Sequence, residues 1–403
     1  MNTSTYKNFL WGAATSSHQV EGNNHNDWSE WEKLGKVRHG EVSGLAAGHY
    51  TRFREDFALA KTLGHNAHRL SIEWSRIEPK EGVFDEHEIA HYREVLEELH
   101  RLGITPLVTL HHFTNPVWIH DLHAWTNPRT VKFFLRYVNV VIERLGDLIP
   151  YWITINEPTV KTSLGYLTKW WPPERGNAWD AWQAIRHMAE AHQRAYQLIH
   201  RRYPQAKVST ANNLSCFVPF RKHDLLDRAF NAFFWYWHNQ WWMDQTFLTQ
   251  DFIGLNYYFY HPCKFRWTFD ITNFLRPEPT PGAPTSDLGW EIHPEGLGVL
   301  LHWLKRYQRP IIITENGLAD AADRQRAGFL RSHIEQIDRA KADGVDIRGY
   351  LHWSLLDNFE WREGFDPRFG LISVDYQTME RKIRPSAYTY RELIQERTPN
   401  QAS

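Results

Sequence analysis

Short apolar runs recur along the chain, separated by longer stretches with helical spacing. The runs span 9–14, 67–74, 105–111, 151–156, 207–211, 252–257, 311–315 and 348–354. Each has the length of a strand rather than of a helix. Between them lie amphipathic segments. Asp85 with Glu88 three positions on is a capping-box-like start. Ile89, Tyr92, Val95, Leu96, Leu99 and Leu102 follow on one helical face. Asn127-Pro128 offers an N-cap and a proline at the first helical position. Val131, Phe134, Leu135, Val138, Val141, Ile142 and Leu145 then form an apolar stripe, and Gly146 ends it. Strand–helix alternation repeated eight times predicts an α/β fold, a single (β/α)8 TIM barrel. A doubly wound open sheet is the rival. It is disfavoured because no glycine-rich phosphate turn follows the first run.

The chain has 403 residues, a length that one α/β barrel can fill. No short repeat or low-complexity run divides it. The densest Pro/Gly stretch, 277–284, reads as a loop and not as an interdomain linker. One catalytic domain over 1–403 is expected. Lys+Arg number 46 and Asp+Glu 47, so a basic nucleic-acid binder and an acidic tail are both excluded. No run of about 18 apolar residues exists to span a membrane. The first residues make a poor signal peptide, which gives a cytoplasmic expectation and little weight to the sequons at Asn2 and Asn213. Cys216 and Cys263 cannot form a disulfide framework and read as packing residues. The 20 Trp residues are unusual, and beyond core filling they suit a ligand with flat apolar faces, such as a sugar ring.

In a barrel of this kind, polar residues at the C-terminal ends of strands are the catalytic candidates. The first run leads into His18-Gln19 and Glu21, and the second contains Arg69 and Glu73. The third ends at His111-His112, the fourth in Asn156-Glu157-Pro158 and the sixth in Asn256-Tyr257-Tyr258. The seventh ends in Glu315-Asn316-Gly317, and the eighth runs through Trp353 into Asp357, Glu360 and Trp361. Glu157 and Glu315 would face each other across the barrel mouth. Paired carboxylates over an aromatic-lined pocket are what glycosidic cleavage requires. A salt-bridge role for either glutamate is the plain alternative.

The wording of these segments resembles the family 1 glycoside hydrolases, the β-glucosidase and β-galactosidase family. The matching stretches are 9–22 (FLWGAATSSHQVEG), 69–79 (RLSIEWSRIEP), 154–158 (TINEP), 251–258 (DFIGLNYY), 313–317 (ITENG), 353–361 (WSLLDNFEW) and 368–371 (RFGL), all in family order. The resemblance implies a retaining β-glycosidase, most simply a β-glucosidase, that needs neither cofactor nor metal. It implies Glu315 as nucleophile and Glu157 as general acid/base, with Arg69 and Tyr258 as partners of the nucleophile. It further implies Asn156 at the sugar 2-hydroxyl, and Gln19, His112 and Trp361 at the 3- and 4-hydroxyls. Glu360 would take the 4- and 6-hydroxyls, Trp353 would form the platform and Phe369 a wall. The substrate would be a small β-glycoside or oligosaccharide. A transglycosylase on the same site, and a catalytically inactive carbohydrate-binding relative, are the alternatives. A 6-phospho-β-glycosidase is disfavoured because Glu360, with Glu363 nearby, would repel a phosphate. Galactosyl and fucosyl substrates, and any oligomeric state, stay open.

Other residues carry plainer expectations. One of the neighbouring pair His111 and His112 should be core. His187 and His192 read as surface histidines. Trp28, Trp31 and Trp125 are as much core as subsite candidates. Residues 230–242 hold eight aromatics with no Lys or Arg, and are expected to form a buried or partner-covered helix. The stretch His111-His112-Phe113-Thr114-Asn115-Pro116 departs from the family wording after the histidines. The chain is also short for the family, with the shortfall expected between the fourth and seventh strands. An open leaving-group side is therefore expected, with Trp170, Trp171, Trp179 and Trp182 as candidates to line it.

Overall fold

The structure, a computed structural model, describes residues 6–267 and 279–398. Eight parallel strands close into a barrel. In chain order they are β1 (Leu10–Ala14), β2 (Ala67–Ser71), β3 (Thr105–Thr109), β4 (Tyr151–Asn156) and β5 (Lys207–Asn213), then β7 (Ile253–Asn256), β9 (Ile311–Asn316) and β10 (Ile347–Trp353). β1 pairs with both β2 and β10, which closes the ring and removes the open-sheet alternative. Every expected strand is present, each within a few residues of its apolar run. Two small sheets lie outside the barrel. β6 (Cys216–Pro219) pairs parallel with β8 (Tyr260–Cys263), and β11 (Ile372–Val374) pairs antiparallel with β12 (Arg381–Ile383).

Side chains from successive strands fill the barrel: Ala67, Leu107, Ile153, Ala211, Ile312 and Leu351 form one buried cluster. The outward positions of the strands pack against the surrounding helices in two larger clusters. Near neighbours must approach closely here. A Cβ on Gly12 would lie 1.8 Å from the carbonyl oxygen of Ala67 on the next strand, so only glycine fits.

The helix signals hold with small shifts. Asp85 caps the helix Glu86–Arg101 by accepting from the N–H groups of His87 and Glu88. Asn127 Oδ1 accepts from Arg129 N at 2.9 Å, but the helix begins at Arg129, one residue after the proline. It ends at Leu145, with Gly146 as its cap. Among the described residues no helix is long and apolar enough to cross a membrane. Of the Pro/Gly stretch 277–284, residues 277 and 278 lie outside the described residues. The sequon at Asn2 lies outside them too.

Candidate active site

The strand ends open into a cleft of about 730 Å³. Both glutamate-bearing strands carry a one-residue irregularity just before the mouth. On β4, Ile153 pairs with Ser209 but Asn156 pairs with Ala211. On β9, Ile313 pairs with Leu255 but Glu315 pairs with Asn256. An extra residue in each strand reverses the in–out alternation. Ile153 and Asn156, three apart, can therefore both face inward. Glu157 then sits in the left-handed region at φ 41°, an uncommon place for a non-glycine residue and one where strain marks function. Its N–H continues the ladder to Ala211 O at 2.8 Å, and Pro158 starts the helical turn Pro158–Thr162. After Glu315, Gly317 lets the chain press against Trp353, whose carbonyl oxygen would lie 1.8 Å from any Cβ there.

The two carboxyls have different partners. Glu315 receives the guanidinium of Arg69 on Oε1 and the Tyr258 hydroxyl on Oε2, the latter at 2.8 Å. Arg69 is fully buried and also donates to Asn156 Oδ1 at 2.7 Å and to Thr109 Oγ1 at 3.0 Å. Among the described residues Glu157 receives only amide groups, from Asn256 at 2.7 Å and Asn213 at 3.1 Å. Burial, and secondarily the charge of Glu315, push the Glu157 carboxyl up to about 8. Burial raises Glu315 as well, but Arg69 and Tyr258 oppose it. Glu315 is thus the member that keeps a negative charge, and Glu157 the member that keeps a proton. Burial and the charge of Glu315 hold the Tyr258 phenol well above its ordinary value, so it stays a donor.

The remaining expected residues gather around this pair. Gln19, His112, Asn156, Trp353, Glu360, Trp361 and Phe369 all line the cleft with Tyr258, Glu157 and Glu315. Arg69 lies behind Glu315 and does not line it. Asn156 donates to His112 Nε2 at 3.2 Å. Gln19 accepts from Ser16 at 2.7 Å and donates to Glu360 Oε2 at 3.2 Å. Burial and the charge of Glu315 raise Glu360 to about 8. His112 stacks between Trp353 and Trp361, with ring centroids 6.0 and 6.1 Å away. His18 backs Trp361 at 5.5 Å with its ring nearly parallel, and its Nε2 meets Glu32 at 2.8 Å. Among the described residues no group of three or more His, Cys, Asp or Glu side chains could hold a metal ion.

Asn256, a strand-end candidate to which no role was attached, is bonded to Glu157, whereas Asn213 was not among the site candidates. Asn213 stood only as a sequon, yet it is buried and bonded to Glu157, far from an exposed acceptor. The departing stretch after His112 serves as scaffolding. Phe113 walls the cleft, Thr114 bonds Glu73 at 3.0 Å, and Asn115 bonds Asp27 at 2.7 Å. His111 is the core member of its pair, with Nε2 at 3.1 Å from Asn115 Oδ1.

Several expectations need correction. His192 is not on the surface. It is fully buried because it faces the barrel wall, bonded to Thr154 at 2.7 Å and Thr249 at 3.1 Å. Trp170 and Trp171 line the cleft, whereas Trp179 and Trp182 do not. The helix Ala178–Arg202 that carries the latter two runs down the outside of the barrel, with Trp182 against Trp237 and Trp241 and Trp179 exposed. Residues 230–242 are helical but only partly buried. Asn239, Trp241 and Trp242 are inside, while Phe233, Tyr236 and Trp237 are exposed, so a fully buried helix is corrected to a half-buried one and the partner-covered alternative is untouched. Trp125 is core, whereas Trp28 and Trp31 pack behind Trp361 and Trp171. Cys216 and Cys263 are buried and free.

A profile of glycosyl hydrolase family 1 matches residues 1–252 and 247–399. The chain is 32% identical to a 1,4-beta-D-glucan glucohydrolase of Thermotoga neapolitana, with 96% of this chain and 97% of that protein aligned. It is 32% identical to beta-glucosidase A of Thermotoga maritima, with 96% of each covered. Among solved structures, a beta-glycosidase from Pyrococcus horikoshii superposes with a TM-score of 0.90 at 36% identity, over 98% of both chains.

Proposed function

The chain belongs to glycosyl hydrolase family 1, and from that premise we propose that it is a retaining β-glucosidase whose nucleophile is Glu315 and whose acid/base is Glu157. The observation that carries this reading is the unequal treatment of two buried carboxyls in one cleft. Among the described residues one is bonded by a guanidinium and a phenol, the other only by neutral amides.

In the first step a carboxylate oxygen of Glu315 attacks the anomeric carbon. The bond to the leaving oxygen breaks, and that oxygen takes the proton of Glu157. A covalent glycosyl-enzyme results. Glu315, now an ester, carries no charge, so the lesser of the two influences that raised Glu157 is gone while burial, the larger, remains. Glu157 is left as a carboxylate able to accept a proton from water. Water attacks the anomeric carbon, the ester bond breaks, and the sugar leaves with its β-configuration kept. Asn156 suits the 2-hydroxyl, where contacts strengthen in the oxocarbenium-like transition state. Gln19, His112, Glu360 and Trp361 suit the other hydroxyls over the Trp353 platform, with Phe369 beside it. Glu360 with a raised carboxyl can donate as well as accept, which accommodates either epimer at the 4-position.

The substrate class is a small β-glycoside with a terminal non-reducing glucosyl residue, with galactosyl and fucosyl as further candidates. The whole chain is read as one catalytic domain. A panel of nitrophenyl β-glucoside, galactoside, fucoside and mannoside tests the reading, with the first-formed anomer followed by proton NMR. Release of β-glucose first is expected. No turnover of any β-glycoside, or first release of the α-anomer, overturns it.

A further inference from the structure

Asn256 and Asn213 both donate to the same oxygen of Glu157, Oε1, at 2.7 and 3.1 Å. No side chain among the described residues bonds Oε2. The orientation of Asn256 is not arbitrary. Arg69 can only donate, so Asn156 Oδ1, which it contacts at 2.7 Å, is an acceptor. The Asn256 atom 3.2 Å from that same Oδ1 must therefore be the amide nitrogen. That nitrogen is also the one facing Glu157. At the other end of the amide, Thr314 Oγ1 donates to Asn256 Oδ1 at 2.7 Å. Thr314, Asn256, Asn156 and Arg69 are all buried at 1% exposure or less. A directional run thus leads from Thr314 through Asn256 to one oxygen of the acid, while Arg69 and Asn256 both donate to Asn156 Oδ1 and so fix the amide's orientation.

We propose that Asn256, held by Thr314 and seconded by Asn213, fixes which oxygen of Glu157 carries the transferred proton. With two N–H donors on Oε1, a hydrogen on that oxygen would meet only donors. The proton therefore resides on Oε2, the oxygen left to the cleft, and is aimed at the leaving group before substrate arrives. Preorganisation of this kind matters because proton transfer demands a donor within hydrogen-bond reach in the correct geometry. In the second step the same two amides hold Oε1 while Oε2 takes the proton from water. Asn256, Thr314 and Asn213 are positioning residues, since they act through Glu157. The proposal rests on the reading of Glu157 as acid/base.

The test uses Asn213→Ala and Thr314→Val on the full chain, with Glu157→Ala beside them. Each is assayed on an alkyl β-glucoside, which needs protonation, and on 2,4-dinitrophenyl β-glucoside, which does not. Active sites are counted by trapping with the 2-deoxy-2-fluoro analogue, so that misfolded protein does not enter the rates. Loss of a well-placed acid proton should cost the alkyl substrate on the order of tenfold more than the activated one, part of what general acid catalysis supplies. The amides favour the charged form of Glu157, so the basic limb of kcat/KM should also move to higher pH. Thr314→Ser, which keeps the hydroxyl, should restore both. Equal losses on the two substrates with an unmoved basic limb overturn the proposal. If Glu157→Ala itself fails to separate the substrates, the acid/base reading falls first. If it separates them and the two positioning variants do not, only the present proposal falls.

Discussion

Tyr258 donates its hydroxyl to Glu315 Oε2 at 2.8 Å, the oxygen that the Arg69 guanidinium leaves open. The two donors come from different strands, Arg69 from within β2 and Tyr258 from just past β7, and hold the carboxylate from both sides. Attack on the anomeric carbon requires one of these bonds to weaken as charge leaves the carboxylate. The phenol is the weaker and more adjustable donor of the two, which makes it the one whose loss the site can survive. In Tyr258→Phe, kcat should fall by roughly 10–100-fold, the worth of one hydrogen bond to a charged group. KM should change little if the ring stays in place. Steady-state kinetics on nitrophenyl β-glucoside check this, and an unchanged kcat would remove Tyr258 from the nucleophile's support.

Glu315→Ala should abolish hydrolysis of every glycoside. Azide has room to enter from the nucleophile's side and should restore turnover of an activated β-glucoside as the inverted α-glucosyl azide. Product configuration by NMR is the check. A β-azide would mean that Glu315 is not the attacking group.

The pH profile follows from the same pair. In the proposed mechanism Glu157 must hold its proton in the first step, and its carboxyl is raised to about 8. kcat/KM should therefore fall as pH rises through about 8. Glu315 must be charged, and burial puts it above the ordinary carboxylate range, so the acidic limb should lie higher than for a free carboxylate. Both limbs are properties of the interacting pair. A profile flat from pH 6 to 10 would contradict the coupling between them.

The buried histidines imply acid lability. His65 and His192 are pushed down to about 3 and His333 to about 4, in each case chiefly by burial. Their unfolded pKa is about 6.5. Above that pH neither state binds the extra proton, and the histidines cost nothing. As pH falls below it, the unfolded chain takes up protons that the folded chain refuses. Each group then costs about 1.4 kcal/mol per pH unit until its folded pKa is reached. The thermal midpoint should drop steeply between pH 6.5 and 4. His65 has both ring nitrogens buried with no hydrogen-bond partner among the described residues, so His65→Leu should flatten that drop. Scanning calorimetry across pH decides it, and an unchanged slope would refute the assignment.

Strand placement was legible in the chain because eight apolar runs of strand length leave little choice once the stretches between them are amphipathic. The glutamates were legible as strand ends and through their neighbouring residues. What brings them to face the cleft was not. The extra residue on β4 before Asn156 and on β9 before Glu315 shows in the pairing register, which no local pattern encodes. Asn213 was hidden for a different reason: β5 extends two residues past its apolar run, so plain alternation from the inward Ala211 carries Asn213 to the mouth, while its own sequence context suggests a surface sequon. His192 misled because five-residue spacing from His187 says nothing about which face meets the barrel. The aromatic run at 230–242 was legible as a helix, but how much of it lies inside was not, since Phe233, Tyr236 and Trp237 are exposed beside the buried Trp241 and Trp242.

The tryptophans at the mouth give the last prediction. Trp171 is 9% exposed and packs against Trp28, Phe113 and Trp361, with centroids 5.2, 5.0 and 5.8 Å away. It therefore supports the ring proposed to bind the sugar. Trp170 also lines the cleft, beneath Arg362 at 5.7 Å, and lies farther out. The two should respond differently to alanine. In Trp170→Ala an aryl aglycone loses a stacking face worth about 0.5–1.5 kcal/mol. KM should rise a few-fold to about tenfold for aryl β-glucosides, and hardly at all for methyl β-glucoside. In Trp171→Ala a cavity opens behind Trp361, so KM should rise for both substrates and stability should fall by about 3–5 kcal/mol. Michaelis constants for the two substrates, with thermal unfolding of each variant, separate the cases. If Trp170→Ala raises both constants equally, Trp170 does not meet the aglycone. If Trp171→Ala changes only the aryl constant with stability intact, Trp171 is the stacking residue and not a support.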